Sequence, residues 1–140
     1  MFLALFVSVC DALASIRSAT LEAIHQLENP RDLIRPGPRG ELGAYQFRAA
    51  TWRMHTTESF QRALDRQVSD LVAVRHYEWI KRGLESAGFS ATPYNVALAW
   101  NGGLSAAIGG RAPRRAQDYA GRAANVAALL GGKEIVADAR

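Results

Sequence analysis

A carboxylic acid can hand over a proton near neutral pH only where its surroundings raise its pKa, and a helix end beside apolar groups is such a place. Glu28 follows Leu27 at the close of an apolar helical pattern and precedes the stop Asn29-Pro30. A glutamate at a helix end is most often a solvated surface charge, and it sits against the negative end of the macrodipole. That cost calls for a reason, and general acid chemistry is one. Three further clusters stand out, and in the first of them Tyr45 and Gln46 are suited to holding a sugar. Gly40-Glu41-Leu42-Gly43-Ala44-Tyr45-Gln46-Phe47, followed by Thr51-Trp52, combines glycines that let the backbone approach a ligand with a flat ring and an amide. Ala99-Trp100-Asn101-Gly102-Gly103 pairs an indole with an amide at a helix end. Tyr119-Ala120-Gly121-Arg122-Ala123 sets a phenol on a late Ala-rich helix. Taken singly these are an ordinary turn, a common Asn-Gly-Gly helix end and a packing stripe.

The elements that must position these groups are helical. Ile16, Ala19, Ala23, Ile24 and Leu27 repeat near 3.6 residues and predict a first helix from about Asp11 to Leu27. The residue before a proline avoids helical dihedrals, so Asn29-Pro30 ends it. Pro30 to Gly43 is rich in Gly, Pro and Arg and reads as a long loop, of the kind that carries function. Short helices are expected at Ala49 to Met54 and around Thr57 to Leu64. A longer one runs from about Arg66 to Ala87, with apolar residues spread widely enough to predict contacts on several sides. Thr92-Pro93 is a capped helix start. A short turn follows at Leu104 to Ile108. A final helix from near Pro113 to Gly131-Gly132 carries the stripe Ala116, Tyr119, Ala120, Ala123, Val126, Ala127 and Leu130. The expectation is an all-α domain of about six helices.

Composition narrows the chemistry. A 140-residue chain with 49% apolar and 21% charged residues builds one ordered domain. The formal net charge of +4 suits an anionic partner. Its nearest approach to a patch, Arg111, Arg114 and Arg115, is not interleaved with aromatics, so no nucleic-acid partner is expected. The single Cys10 excludes an internal disulfide and a Cys-rich metal centre, and His25, His55 and His76 lack metal-ligand spacing; no metal and no cofactor is expected. Residues 1–14 admit two readings. Phe2 to Cys10 is apolar and Ala12-Leu13-Ala14 resembles a signal-peptide end, but no Lys or Arg precedes the run; the other reading is the start of the first helix. The run is too short to span a bilayer, so no stable membrane insertion is expected. Residues 15–132 then form the domain and 133–140 a tail. The oligomeric state is not legible.

In order and spacing, the four clusters resemble the soluble lytic transglycosylases and, more distantly, goose-type lysozymes. In that family a catalytic Glu ends a helix, usually before Ser. A Gly-x-x-Gln-hydrophobic segment then leads to Thr-Trp or similar, a third motif reads Ala-Tyr-Asn-x-Gly, and a late helix supplies a Tyr. The matching positions are Glu28, then Gly43 to Phe47 with Thr51-Trp52, then Ala99 to Gly103, then Tyr119 with Ala123, over about Ile16 to Leu130. Asn29 stands in place of the usual Ser and Trp100 in place of the usual Tyr, and Pro36 to Gly40 has its own character.

The resemblance implies a lysozyme-like helical domain with a long Gly/Pro-rich active-site loop after the first helix. It implies cleavage of the β-1,4 bond between N-acetylmuramic acid and N-acetylglucosamine in peptidoglycan, in the cell envelope, periplasmic or secreted. Glu28 would be the catalytic residue. Gln46 and Asn101 would hold the glycan, Tyr119 would orient Glu28, and Tyr45, Trp100 and Tyr119 are the candidate apolar wall. The expected outcome is non-hydrolytic, with a 1,6-anhydro product. The alternatives are a hydrolytic lysozyme-type glycosidase, with Glu41 as the best candidate second acid, and a non-catalytic glycan-binding module on the same fold.

Overall fold

The computed structural model describes the backbone of residues 2–138 and the side chains of residues 9–132. About 70% of the chain is helical, and the described residues form no strand. The helices are α1 (Phe2–Glu28), α2 (Ala49–His55), α3 (Arg66–Ser86), α4 (Pro93–Gly102), α5 (Leu104–Ile108) and α6 (Arg114–Asp138), with a 3-10 helix at Phe60–Leu64 before α3.

Local chemistry explains most of these boundaries. Asp65 caps α3 by accepting from the backbone N–H groups of Gln67 and Val68. The Thr92 hydroxyl accepts from the Asn95 N–H at 3.1 Å, and Pro93 opens α4. Gly88 and Gly103, with φ of +84° and +90°, stand just past the ends of α3 and α4.

The core gathers on one face of α3. Ser69, Val72, Ala73, His76, Tyr77, Ile80 and Leu84 are buried there, at i, i+3, i+4 and i+7 spacing. They pack with Ile24, Phe47, Trp52 and Val96. Full burial of a side chain such as Ile24 or Ile80 contributes about 1.5–3 kcal/mol. The wide apolar spread expected for α3 is therefore narrower in fact: Leu71 is 63% exposed. The helix still touches α1, α2, α4, α5 and the 3-10 helix.

On the other side, α6 packs chiefly against α4 and α1. Small residues make that seam, with Ala97 against Tyr119, Ala120 and Ala123, and Ala19 and Ala23 against Ala127. A Cβ at Gly102 would come within 3.1 Å of the Ala116 Cβ, so the backbones there approach as closely as side chains allow.

Two ends differ from expectation. α1 begins at Phe2, ahead of the expected Asp11, so the backbone of residues 2–14 is continuous with the first helix; its described side chains from Val9 to Ala14 are exposed. α6 runs through Gly131 and Gly132 to Asp138. Two glycines cost helix propensity of about 1 kcal/mol each without forcing a stop, and packing of the preceding turns carries the helix past them. Residues 139 and 140 of the expected tail lie outside the described residues.

Candidate active site

Glu28 is the last residue of α1, and the chain beyond it is held by Asn29. The buried Asn29 amide donates to the carbonyls of Leu33 at 3.0 Å and Gly43 at 3.2 Å, and its oxygen accepts from the Leu33 N–H at 2.9 Å. One side chain thus fastens the helix end to both limbs of the loop. Asp32 adds a second tie: its carboxylate meets His25 Nε2 at 2.9 Å and the Arg66 guanidinium at 3.5 Å.

The helix-free segment between α1 and α2 folds back in two turns. The Gly37 N–H donates to the Glu41 carbonyl at 2.8 Å, and Leu42 and Phe47 exchange two backbone hydrogen bonds of 3.0 Å. Gly43 at the neck of the second turn has φ +78°, and a Cβ there would fall 1.9 Å from the Ala63 carbonyl oxygen. No residue with a side chain fits. Gln46 closes the turn at φ +47°, and its amide donates to the Gly43 carbonyl at 2.9 Å.

These constraints leave a cleft with two arms, of 430 and 370 Å³, which share Glu28, Pro38 and Gln46. One arm runs under the loop along Asn29, Leu33 and Arg35 to Pro38. The other is walled by Arg39, Glu41, Phe47, Arg48, Thr51, His76, Trp100 and Asn101.

Burial raises the Glu28 pKa above the ordinary carboxylate range. The Tyr119 hydroxyl works the other way, the charge of Glu41 adds to the rise, and Arg122 opposes it. Tyr119 is 6% exposed, and its phenol is pushed up by burial first and then by the charge of Glu28. That hydroxyl is buried and closes no hydrogen bond of standard geometry, yet it lies near enough to Glu28 that each alters the other's hold on its proton. Glu41 differs in kind. Its slight burial is outweighed by the Arg39 N–H, which donates to its Oε2 at 2.8 Å, by its own N–H, and by the charges of Arg48 and Arg39, so its pKa falls. One cleft therefore holds two carboxyl groups displaced in opposite directions, the pattern that separates an acid from a base.

Of the residues singled out in the sequence, Glu28, Gln46, Trp100 and Asn101 line the cleft, and Tyr119 stands behind Glu28. Tyr45 does not line it. It is 4% exposed, its hydroxyl donates to Asp70 Oδ1 at 2.7 Å, and the Arg66 guanidinium lies 5.7 Å from its ring centroid. In this tight turn Tyr45 goes to the core, while Gln46, in the left-handed conformation, goes to the cleft.

Among the lining residues that the sequence did not single out are Leu33, Arg35, Arg39, Arg48 and His76. For His76 a signal existed, since it interrupts the apolar stripe Val72, Ala73, Tyr77, Ile80 with a polar ring. Among the described residues, no group of three or more His, Cys, Asp or Glu side chains is placed to hold a metal ion. Among the described residues, no helix is long and apolar enough to cross a membrane. No protein-family model matches the chain, nor does any curated protein or any solved structure.

Proposed function

We propose that this chain cleaves the β-1,4 glycosidic bond of peptidoglycan strands in the cell envelope, as a lytic transglycosylase-like enzyme with Glu28 as its catalytic acid. The observation that carries the reading is the Glu28 carboxyl at the junction of two cleft arms, with its pKa raised by burial. The support from the sequence is the order of the four clusters around it.

The chemistry needs one carboxyl in two roles. Protonated Glu28 gives its proton to the glycosidic oxygen as the bond to the anomeric carbon breaks. The resulting carboxylate then accepts the proton of the 6-hydroxyl of the same sugar, whose oxygen bonds to the anomeric carbon and closes the 1,6-anhydro ring. Glu28 ends as it began, and no water is consumed. The Tyr119 hydroxyl stands close enough to steady the carboxylate between the steps. Gln46 and Asn101 flank the carboxyl as polar groups for the sugar, and Trp100 offers a face for its apolar side.

A second reading has its own observation. Glu41 lines the same arm as Glu28 and is held ionised. A carboxylate so placed would activate water, making the enzyme a hydrolase of the two-carboxyl type. Mass analysis of digested peptidoglycan separates the two: anhydromuramyl ends support the first reading, and reducing ends support hydrolysis. A chain that binds the polymer and releases neither is a glycan-binding module.

A further inference from the structure

The cleft holds an imidazole that neither proton transfer uses. His76 sits in the middle of α3, is 7% exposed, and lines the same arm as Glu28. Its ring is clamped on three sides. Trp79 stacks on it with centroids 5.6 Å apart and planes 12° apart. Trp100 meets it edge-on at 4.6 Å, and Phe47 does so at 6.2 Å. Its Nδ1 lies 2.9 Å from His55 Nε2 at the end of α2.

That last bond consumes one ring nitrogen and leaves the other. Among the described residues, the buried side-chain polar atoms without a partner are Ser69 Oγ and Tyr119 OH. No described side-chain hydrogen bond involves His76 Nε2, it is not one of these buried atoms, and the residue lines the cleft arm. The groups around the pair keep it uncharged. Burial lowers the His76 pKa to about 3, with His55 adding to the effect. His55 is itself lowered by burial and by Arg75 and Arg82. A neutral imidazole has one donor and one acceptor. Bonding to His55 therefore couples the two rings: where His76 Nδ1 accepts, its Nε2 donates, and where Nδ1 donates, its Nε2 accepts.

We infer that His76 is a substrate-binding residue: its Nε2 hydrogen-bonds a hydroxyl or acetamido group of a sugar unit that rests against Trp100, beside the unit attacked at Glu28. His55 acts through His76, because the hydrogen bond between them couples their tautomers. The inference rests on the glycan reading of the cleft and adds to it a subsite on the α3 wall.

The test uses the tetramer of N-acetylglucosamine as probe, titrated calorimetrically into the full chain, with Glu28→Gln present in every variant so that no turnover intervenes. His76→Phe keeps the ring and removes both nitrogens. Binding is expected to weaken about tenfold, the scale of one lost hydrogen bond to a group then left unpaired. His55→Phe is expected to weaken it a few-fold, and the His76 effect is expected to be the same at pH 7 and pH 8. A His76→Phe variant that folds and binds as tightly as its parent overturns the inference and leaves the glycan reading standing. A parent that does not bind the tetramer or insoluble peptidoglycan overturns the glycan reading and this inference together. Should His76→Phe fail to fold, nitrogen NMR of the parent decides: the His76 Nε2 resonance is expected to shift on saturation with the tetramer, and an unmoved resonance overturns the inference.

Discussion

Two hollows border α1. Toward its start lies a groove of 860 Å³ lined by Leu13, Ile16 and Ala19 of α1, Tyr77 of α3, Pro93, and Ala124, Ala127 and Ala128 of α6. At its last residue lies the cleft, whose arms are 430 and 370 Å³. Ile16 and Glu28 are separated by about 18 Å of helix. The groove is the larger and the more apolar hollow, and its charged residues neutralise one another: Arg17 pairs with Glu78 at 2.8 Å, and Lys81 with Glu85 at 3.7 Å. In the cleft, Glu28 and Glu41 are pushed apart in proton affinity, the buried Tyr119 phenol stands against Glu28, and His76 lines the same arm as both. Size and greasiness favour the groove, whereas convergence of polar groups at one carboxyl favours the cleft. The second criterion is the one that bears on proton transfer.

The contrast can be broken most decisively at Glu28. Glu28→Gln is expected to reduce release of peptidoglycan fragments by at least about 10² to 10⁴, the usual worth of a general acid, while binding of the polymer persists. Undiminished release from the variant would shift attention to another part of the molecule. The same substitution carries a stability signature of opposite sign. Because the folded-state pKa of Glu28 is raised, the folded protein holds more protons than the unfolded chain between the two pKa values, and wild-type stability falls as pH climbs through that window. At neutral pH the glutamine variant is expected to be more stable, by about 1 kcal/mol, and below the ordinary carboxylate range the difference is expected to vanish. Denaturant titrations at pH 7 and pH 3 check this.

Gly43→Ala is next in size. Its Cβ would collide with the Ala63 carbonyl, at a backbone conformation that already disfavours alanine, so a loss of about 3 kcal/mol is expected. Since Gly43 also anchors Asn29 and Gln46, activity should drop by more than the unfolded fraction explains. Tyr119→Phe removes only a hydroxyl. Its expected signature is about a tenfold lower rate, a further rise in the Glu28 pKa and, at neutral pH, a loss of stability of about 1 kcal/mol that vanishes below the ordinary carboxylate range. The descending limb of the pH–rate profile should therefore move to higher pH, and a limb that stays put would detach Tyr119 from the acid. The smallest effect is expected in the groove. Leu13→Ser, at a half-exposed position, should leave stability within about 0.5 kcal/mol and the rate unchanged. A large loss of rate there would erase the distinction between the two hollows.

Much of the helical framework was legible because local rules set it: the Asp65 and Thr92 caps, the Asn29-Pro30 stop and the small-residue stripe of α6 all act within a turn or two of chain. The position of Glu28 was legible for the same reason. What escaped reading depends on distant chain. Tyr45 and Gln46 are neighbours, and only the left-handed turn at Gln46 decides which one enters the core. The role of Asn29 as a three-bond fastener appears only once Gly43 has been brought beside it. Arg39 and Arg48 become cleft residues through the fold of the loop, and no periodicity announces that, whereas His76 left only the trace of a polar ring in an apolar stripe. The far limits of α1 and α6 were missed because propensity alone set them too short.

The close approach of α6 to α1 has a consequence at some distance from its own alanines. Glu28 ends one of these helices and Tyr119 belongs to the other, so the thickness of the alanine layer acts as a spacer that sets how tightly the acid grips hydrogen. An added methyl or two at Ala23 or Ala123, buried and remote from solvent, would retune the working acidity of the cleft while leaving every residue that lines it in place.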